Sequence, residues 1–93
     1  MPGKFRIEYT AHAEQRSIER DIRKEDIEQI LNGPLDEIYD GYEENYKCYG
    51  KEPRKDDRYI KIIYSKLNNN TLKVITVMIT DIGDLRASGF NNL

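Results

Sequence analysis

Arg58–Leu67 reads RYIKIIYSKL and Thr71–Thr80 reads TLKVITVMIT, with only Asn68, Asn69 and Asn70 between them. Both runs are rich in β-branched and aromatic residues, and asparagine suits tight turns, so the pair predicts a β-hairpin at the centre of a sheet. Register matters because a slip of one residue moves every side chain to the other face. With Asn69-Asn70 as the two-residue turn, Ile60, Ile62 and Tyr64 sit opposite Ile79, Val77 and Ile75, on a face that helices are expected to cover. The other face carries Tyr59, Lys61 and Ile63 beside Thr80, Met78 and Thr76, a half-polar surface open to water or a ligand.

Upstream of the hairpin, Leu35–Tyr39 and Tyr42–Tyr49 predict two further strands joined by a turn at Asp40-Gly41. Before them, Ile27, Ile30 and Leu31 repeat at helical spacing behind Glu25 and Asp26, which suit the positive end of a helix dipole. Asn32-Gly33-Pro34 ends that helix, with Gly33 expected as the left-handed residue and Pro34 preventing continuation. Thr10–Glu19 predicts an earlier helix capped by Thr10 and stopped at Asp21. The tail from Asp81 to Leu93 has two glycines and little periodicity, and reads as irregular, either loop or a weak final element. The expected fold is α+β: two N-terminal helices packed on one face of a small antiparallel sheet of three to four strands. Residues 1–93 make a single domain in this reading, with its core in 4–80.

Charge and composition exclude several classes. A net charge of −2 argues against a protein that coats nucleic acid through bulk positive potential. Cys48 is the only cysteine, which rules out an internal disulfide and a zinc site built on thiolate pairs. No apolar run approaches the roughly 20 residues of a membrane span, and Met1–Tyr9 lacks the apolar stretch of a signal peptide, so a cytoplasmic address is expected. One local stretch, KCYGKEPRKDDRYIK from Lys47 to Lys61, interleaves cations with aromatics. Lys51, Arg54, Lys55, Tyr59 and Lys61 are its candidates for following phosphates and stacking on bases. Glu52, Asp56 and Asp57 dilute the charge, and a solvated loop running into a strand explains the same residues more simply.

The pattern that can carry chemistry is His12, Arg16 and Arg20. Residues four apart on a helix are offset by only about 40°, so one imidazole and two guanidiniums share a side. Phosphodiester cleavage needs a base for the attacking hydroxyl, cations for the phosphate and an acid for the leaving oxygen. Histidine supplies the first or the third, and arginine the second. Residue types and spacing alone fit a solvated face better, with Arg16 and Arg20 paired to Glu19 or Asp21. No phosphate-binding glycine loop, second histidine or serine nucleophile motif is present, so no cofactor or metal is expected. Asp81 with Asp84, and Asp56 with Asp57, fall where turns are predicted and read as solvated carboxylates rather than a magnesium site.

The string His12-Ala13-Glu14-Gln15-Arg16-Ser17-Ile18-Glu19-Arg20-Asp21-Ile22, followed by Lys24-Glu25-Asp26-Ile27, resembles the opening of the family called domain of unknown function 4258. The likeness continues through Asn32-Gly33-Pro34 to Val74-Ile75-Thr76-Val77, covering roughly Tyr9 to Thr80. Ser17, Asp21 and Arg23 depart from the family pattern, and none of them touches the His-Arg-Arg trio. The family is similar in architecture to the RelE and BrnT toxins. That resemblance implies a metal-independent endoribonuclease of the toxin type, with RNA as substrate and an antitoxin bound over the basic surface through an acidic or amphipathic segment. It implies His12 as acid or base, Arg16 and Arg20 at the phosphate, and Arg58 and Thr76 as sheet-borne substrate contacts. The alternative is a non-catalytic module that binds protein or nucleic acid.

Overall fold

A computed structural model describes residues 5–91 and 93. In chain order the elements are β1 (Arg6–Tyr9), α1 (Ala11–Glu19), α2 (Lys24–Asn32), β2 (Asp36–Asp40), β3 (Asn45–Lys51), β4 (Tyr59–Asn68), β5 (Thr71–Thr80) and α3 (Ile82–Ala87). They build one five-stranded sheet in the order β1-β5-β4-β3-β2. The sheet is mixed rather than purely antiparallel, because β1 runs parallel to β5 from Arg6↔Thr71 to Tyr9↔Val74. It therefore has one strand more than the sequence predicts.

The central hairpin has the expected turn, with Asn68 paired to Thr71 across Asn69-Asn70, and the expected pairs Ile60↔Ile79 and Ile62↔Val77. One pair differs: Tyr64 meets Val74, not Ile75, because the register shifts between Ile63 and Tyr64. Ile75 is the extra residue of a β-bulge, and its carbonyl accepts a hydrogen bond from the Thr10 hydroxyl at 3.0 Å. The same hydroxyl accepts from the Ala13 N–H at 2.9 Å, so Thr10 caps α1 and ties its first turn to β5.

Helices α1 and α2 cover the predicted face. Ala13, Ile22, Ile27, Ile30 and Leu31 pack on Cys48, Ile60, Ile62, Tyr64, Leu72, Val74 and Val77. Burial pushes the Cys48 thiol well above its usual range, which makes it an inert core residue. Gly50 lets α2 approach β3, since a Cβ there would lie 2.5 Å from Ile30 Cγ1. Asp21 ends α1 in left-handed backbone at φ 52. Gly33 does not end α2 that way: its φ is −166, extended backbone open to any residue, and Pro34 alone prevents continuation. The β2–β3 turn is also longer than Asp40-Gly41, spanning Gly41 to Glu44, with the Asp40 carboxylate accepting from Tyr42 N and Glu43 N.

The tail is not loop but a short final element, α3. Asp81 caps α3 by accepting from Asp84 N at 2.9 Å, and Leu85 and Phe90 are fully buried against Tyr49, Ile38 and Tyr59. The face expected to lie open is thus partly covered. Lys61 Nζ reaches Asp84 Oδ2 at 3.2 Å and Ser88 Oγ at 2.8 Å, and the Thr80 hydroxyl donates to the same Asp84 oxygen. Thr80 and then Lys61 hold the Asp84 carboxyl below the ordinary carboxylate range. A depressed pKa contributes stability above that ordinary range and loses it as pH falls through the lowered value. Acidification is therefore expected to loosen α3, read as a change in tyrosine fluorescence from Tyr49 and Tyr59, with Asp84→Asn weakening that acid transition.

Candidate functional site

Strand β1 pairs with only the first half of β5, Thr71 to Val74, while β5 continues to Thr80. Past Val74, the flank of β5 away from β4 has no strand beside it among the described residues. Helix α1 fills this position. Thr10 N donates to Val74 O at 3.0 Å, the Thr10 hydroxyl to Ile75 O, and Arg20 Nη1 to Val77 O at 2.7 Å. Buried or edge carbonyls need partners, and one helix supplies three from its two ends.

Arg20 is thus a fastening residue as well as a charged one. Glu14 pairs with Lys24 of α2 at 2.9 Å, which fixes the flank of α1 that faces α2. At about 100° per residue, His12 and Arg16 each lie roughly 160° around the helix from Glu14, on the flank remote from α2. His12 is exposed, and Arg16 is half-buried and paired with Glu19 at 2.7 Å. Gln15 and Arg16 together hold the Glu19 carboxyl below its ordinary range. The pairing of Arg16 with Glu19 follows the solvated-face reading. Asp21 instead takes Arg54, through its Oδ2 at 3.2 Å and its carbonyl.

The remaining predicted site residues do not converge on this flank. Thr76 is half-buried and pairs with Ile63 on the α3 face of the sheet, the opposite face from α1. Arg58 precedes β4 and donates to Asp57 O at 3.1 Å, in a cavity of about 340 Å³ lined also by Tyr59, Asp81, Ile82 and Gly83. The basic stretch is largely spent on structure. Lys61 is 7 % exposed and locked to α3, Tyr59 packs under that helix, and Lys51 lies 5.2 Å over the Tyr59 ring. Arg54 bridges Asp21 and the buried Glu52, leaving Lys55 and Arg58 as exposed cations of the loop with no ion pair among the described residues. The Thr10 bridge escaped the sequence because its acceptor is a main-chain oxygen of a distant strand, and the burial of Glu52 escaped it because a carboxylate in a charged loop reads as solvated. Of the carboxylates weighed for magnesium, Asp81 is engaged as a helix cap and Asp84 with Lys61, while Asp56 and Asp57 are exposed in the loop.

An α+β sheet carrying a helix with His-x-x-x-Arg-x-x-x-Arg along its strand-free flank defines the class of domain. The chain belongs to the family described as Domain of unknown function (DUF4258), whose model matches residues 9–79. That span begins just before α1 and ends one residue short of the end of β5. No curated protein and no solved structure matches the chain. No helix among the described residues is long and apolar enough to cross a membrane.

Proposed function

We propose that this chain is a metal-independent endoribonuclease of the toxin type, acting in the cytoplasm and held silent by an antitoxin. The observation that carries the reading is the exposed His12 on the flank of α1 along the strand-free half of β5, with Arg16 one turn further. RNA cleavage without metal uses the 2′-hydroxyl as nucleophile: a new P–O2′ bond forms, the P–O5′ bond breaks, and a 2′,3′-cyclic phosphate results. His12 takes the proton from the 2′-hydroxyl or gives one to the departing 5′ oxygen. Arg16 exchanges its surface partner Glu19 for the phosphate, since an exposed ion pair is worth only about 0–1 kcal/mol. Arg20 has five N–H donors and uses one on Val77 O, which leaves the others for a phosphate while the side chain stays fastened to the strand. The resemblance to RelE and BrnT toxins supports the same assignment, and an antitoxin with an acidic or amphipathic segment suits this basic flank.

The second reading is a non-catalytic binding module, and the Arg20 hydrogen bond to Val77 O favours it by giving that arginine a structural task. Incubating the purified chain with RNA in excess chelator separates the two. Fragments ending in cyclic phosphate, together with growth arrest on expression, are the expected result. Intact RNA and normal growth sink the nuclease reading.

A further inference from the structure

Strand β2 closes one end of the sheet, and among the described residues its outer edge has no partner. Proteins ordinarily blunt such an edge with charges, most often lysine, or with proline or a bulge. The charges of β2 are all carboxylates, which repel another acidic edge and admit a basic one. β2 has no lysine, proline or bulge: it reads DEIYD and pairs with β3 in unbroken register. Residues 35–44, LDEIYDGYEE, hold five carboxylates and no cation. Asp40 pairs with Lys47 at 3.4 Å and Glu37 with Lys66 at 3.6 Å, while Asp36, Glu43 and Glu44 have no ion pair among the described residues. Three large apolar side chains stand out of the same segment: Leu35 is 62 %, Tyr39 57 % and Tyr42 94 % exposed. The Tyr39 ring is braced from behind, 5.0 Å from Tyr46, which in turn stacks on the buried Tyr64.

We infer that the free edge of β2 docks an extended basic segment of a partner protein, which adds to the sheet as a further strand. Main-chain hydrogen bonds to the open edge supply affinity, and alternating side chains supply selectivity. Lysine or arginine of the partner meets Asp36, Glu43 and Glu44 and lies over the Tyr39 ring, while its apolar residues cover Leu35 and Tyr42. A second copy of this chain fits poorly, because joining two DEIYD strands edge to edge sets carboxylates against carboxylates. RNA is repelled by the same charges. The inference does not depend on the nuclease reading, which concerns the opposite half of the sheet.

Amide spectra of the ¹⁵N-labelled protein, titrated with a short peptide of alternating lysine and valine, test it. Saturable shifts and slowed hydrogen exchange along β2 are the expected result. The combined variant Asp36→Asn, Glu43→Gln, Glu44→Gln, with an unchanged unfolding midpoint, weakens binding by roughly tenfold or more. Equal binding of the matching glutamate–valine peptide overturns the inference. So do shifts centred elsewhere, an absence of saturable binding at millimolar peptide, an RNA oligonucleotide that perturbs β2, or a dimer in solution joined through this edge.

Discussion

Replacing His12 with alanine is expected to lower RNA cleavage by roughly 10²–10⁴-fold, the ordinary worth of a positioned proton carrier. The side chain is exposed and has no hydrogen bond to another described residue, so its removal costs the fold little. Unfolding is expected to shift by no more than about 0.5 kcal/mol. This separation of activity from stability is what distinguishes His12 from Arg20. Arg20→Ala removes a cation and also frees the Val77 carbonyl at the strand edge, so activity and stability fall together. A His12→Ala variant that cleaves as fast as the parent removes His12 from the mechanism, whatever the arginines do.

Gly50→Ala is the substitution expected to damage the fold most for its size. The added methyl would lie 2.5 Å from Ile30 Cγ1, 3.0 Å from Cδ1 and 3.1 Å from Cγ2. Rotating Ile30 about its first side-chain bond exchanges one branch for the other, so the residue cannot swing clear. Either α2 lifts from β3 or the strand bends, at about 1–3 kcal/mol. Ile30→Ala alone leaves a cavity and costs about 2–5 kcal/mol. The double variant relieves the collision and refills part of the cavity, so its loss is smaller than the sum of the two. Denaturant unfolding of the four proteins gives the coupling directly, and strict additivity would show that Gly50 is not the close-approach point.

The parts of this fold that could be read in advance are those with a long periodic signal. Ile60, Ile62, Val77 and Ile79 alternate over enough residues for the hairpin face and most of its register to be argued, and Thr10 identifies itself as a cap by its place before a helical run. β1 has four residues, RIEY, and a parallel partner more than sixty positions away, so neither its pattern nor its pairing is local. The bulge at Ile75 is equally silent, since Ile-Thr-Val suits an unbroken strand. Its consequence appears only when Thr10 needs a carbonyl. α3 is six residues long and contains Gly83, which hides it from helical periodicity. That silence explains Lys61 and Tyr59: the alternation places both on the second face of the hairpin, but nothing in the tail's pattern shows that α3 covers them. The trio on α1 was legible as a stripe. Its division of labour was not, because the acceptor of Arg20 is a backbone oxygen of a distant strand.

The central claim is that the flank of α1 remote from α2, fastened along the strand-free half of β5, is the surface that meets RNA. The most direct measurement is an amide-shift map of the ¹⁵N-labelled His12→Ala protein titrated with a short single-stranded RNA that it no longer cleaves. Shifts concentrated in Ala11–Arg20 and Ile75–Thr80, and weakened by Arg16→Ala, are the predicted result. Shifts confined to the 52–58 loop or to β2, or no saturable change at all, contradict the account.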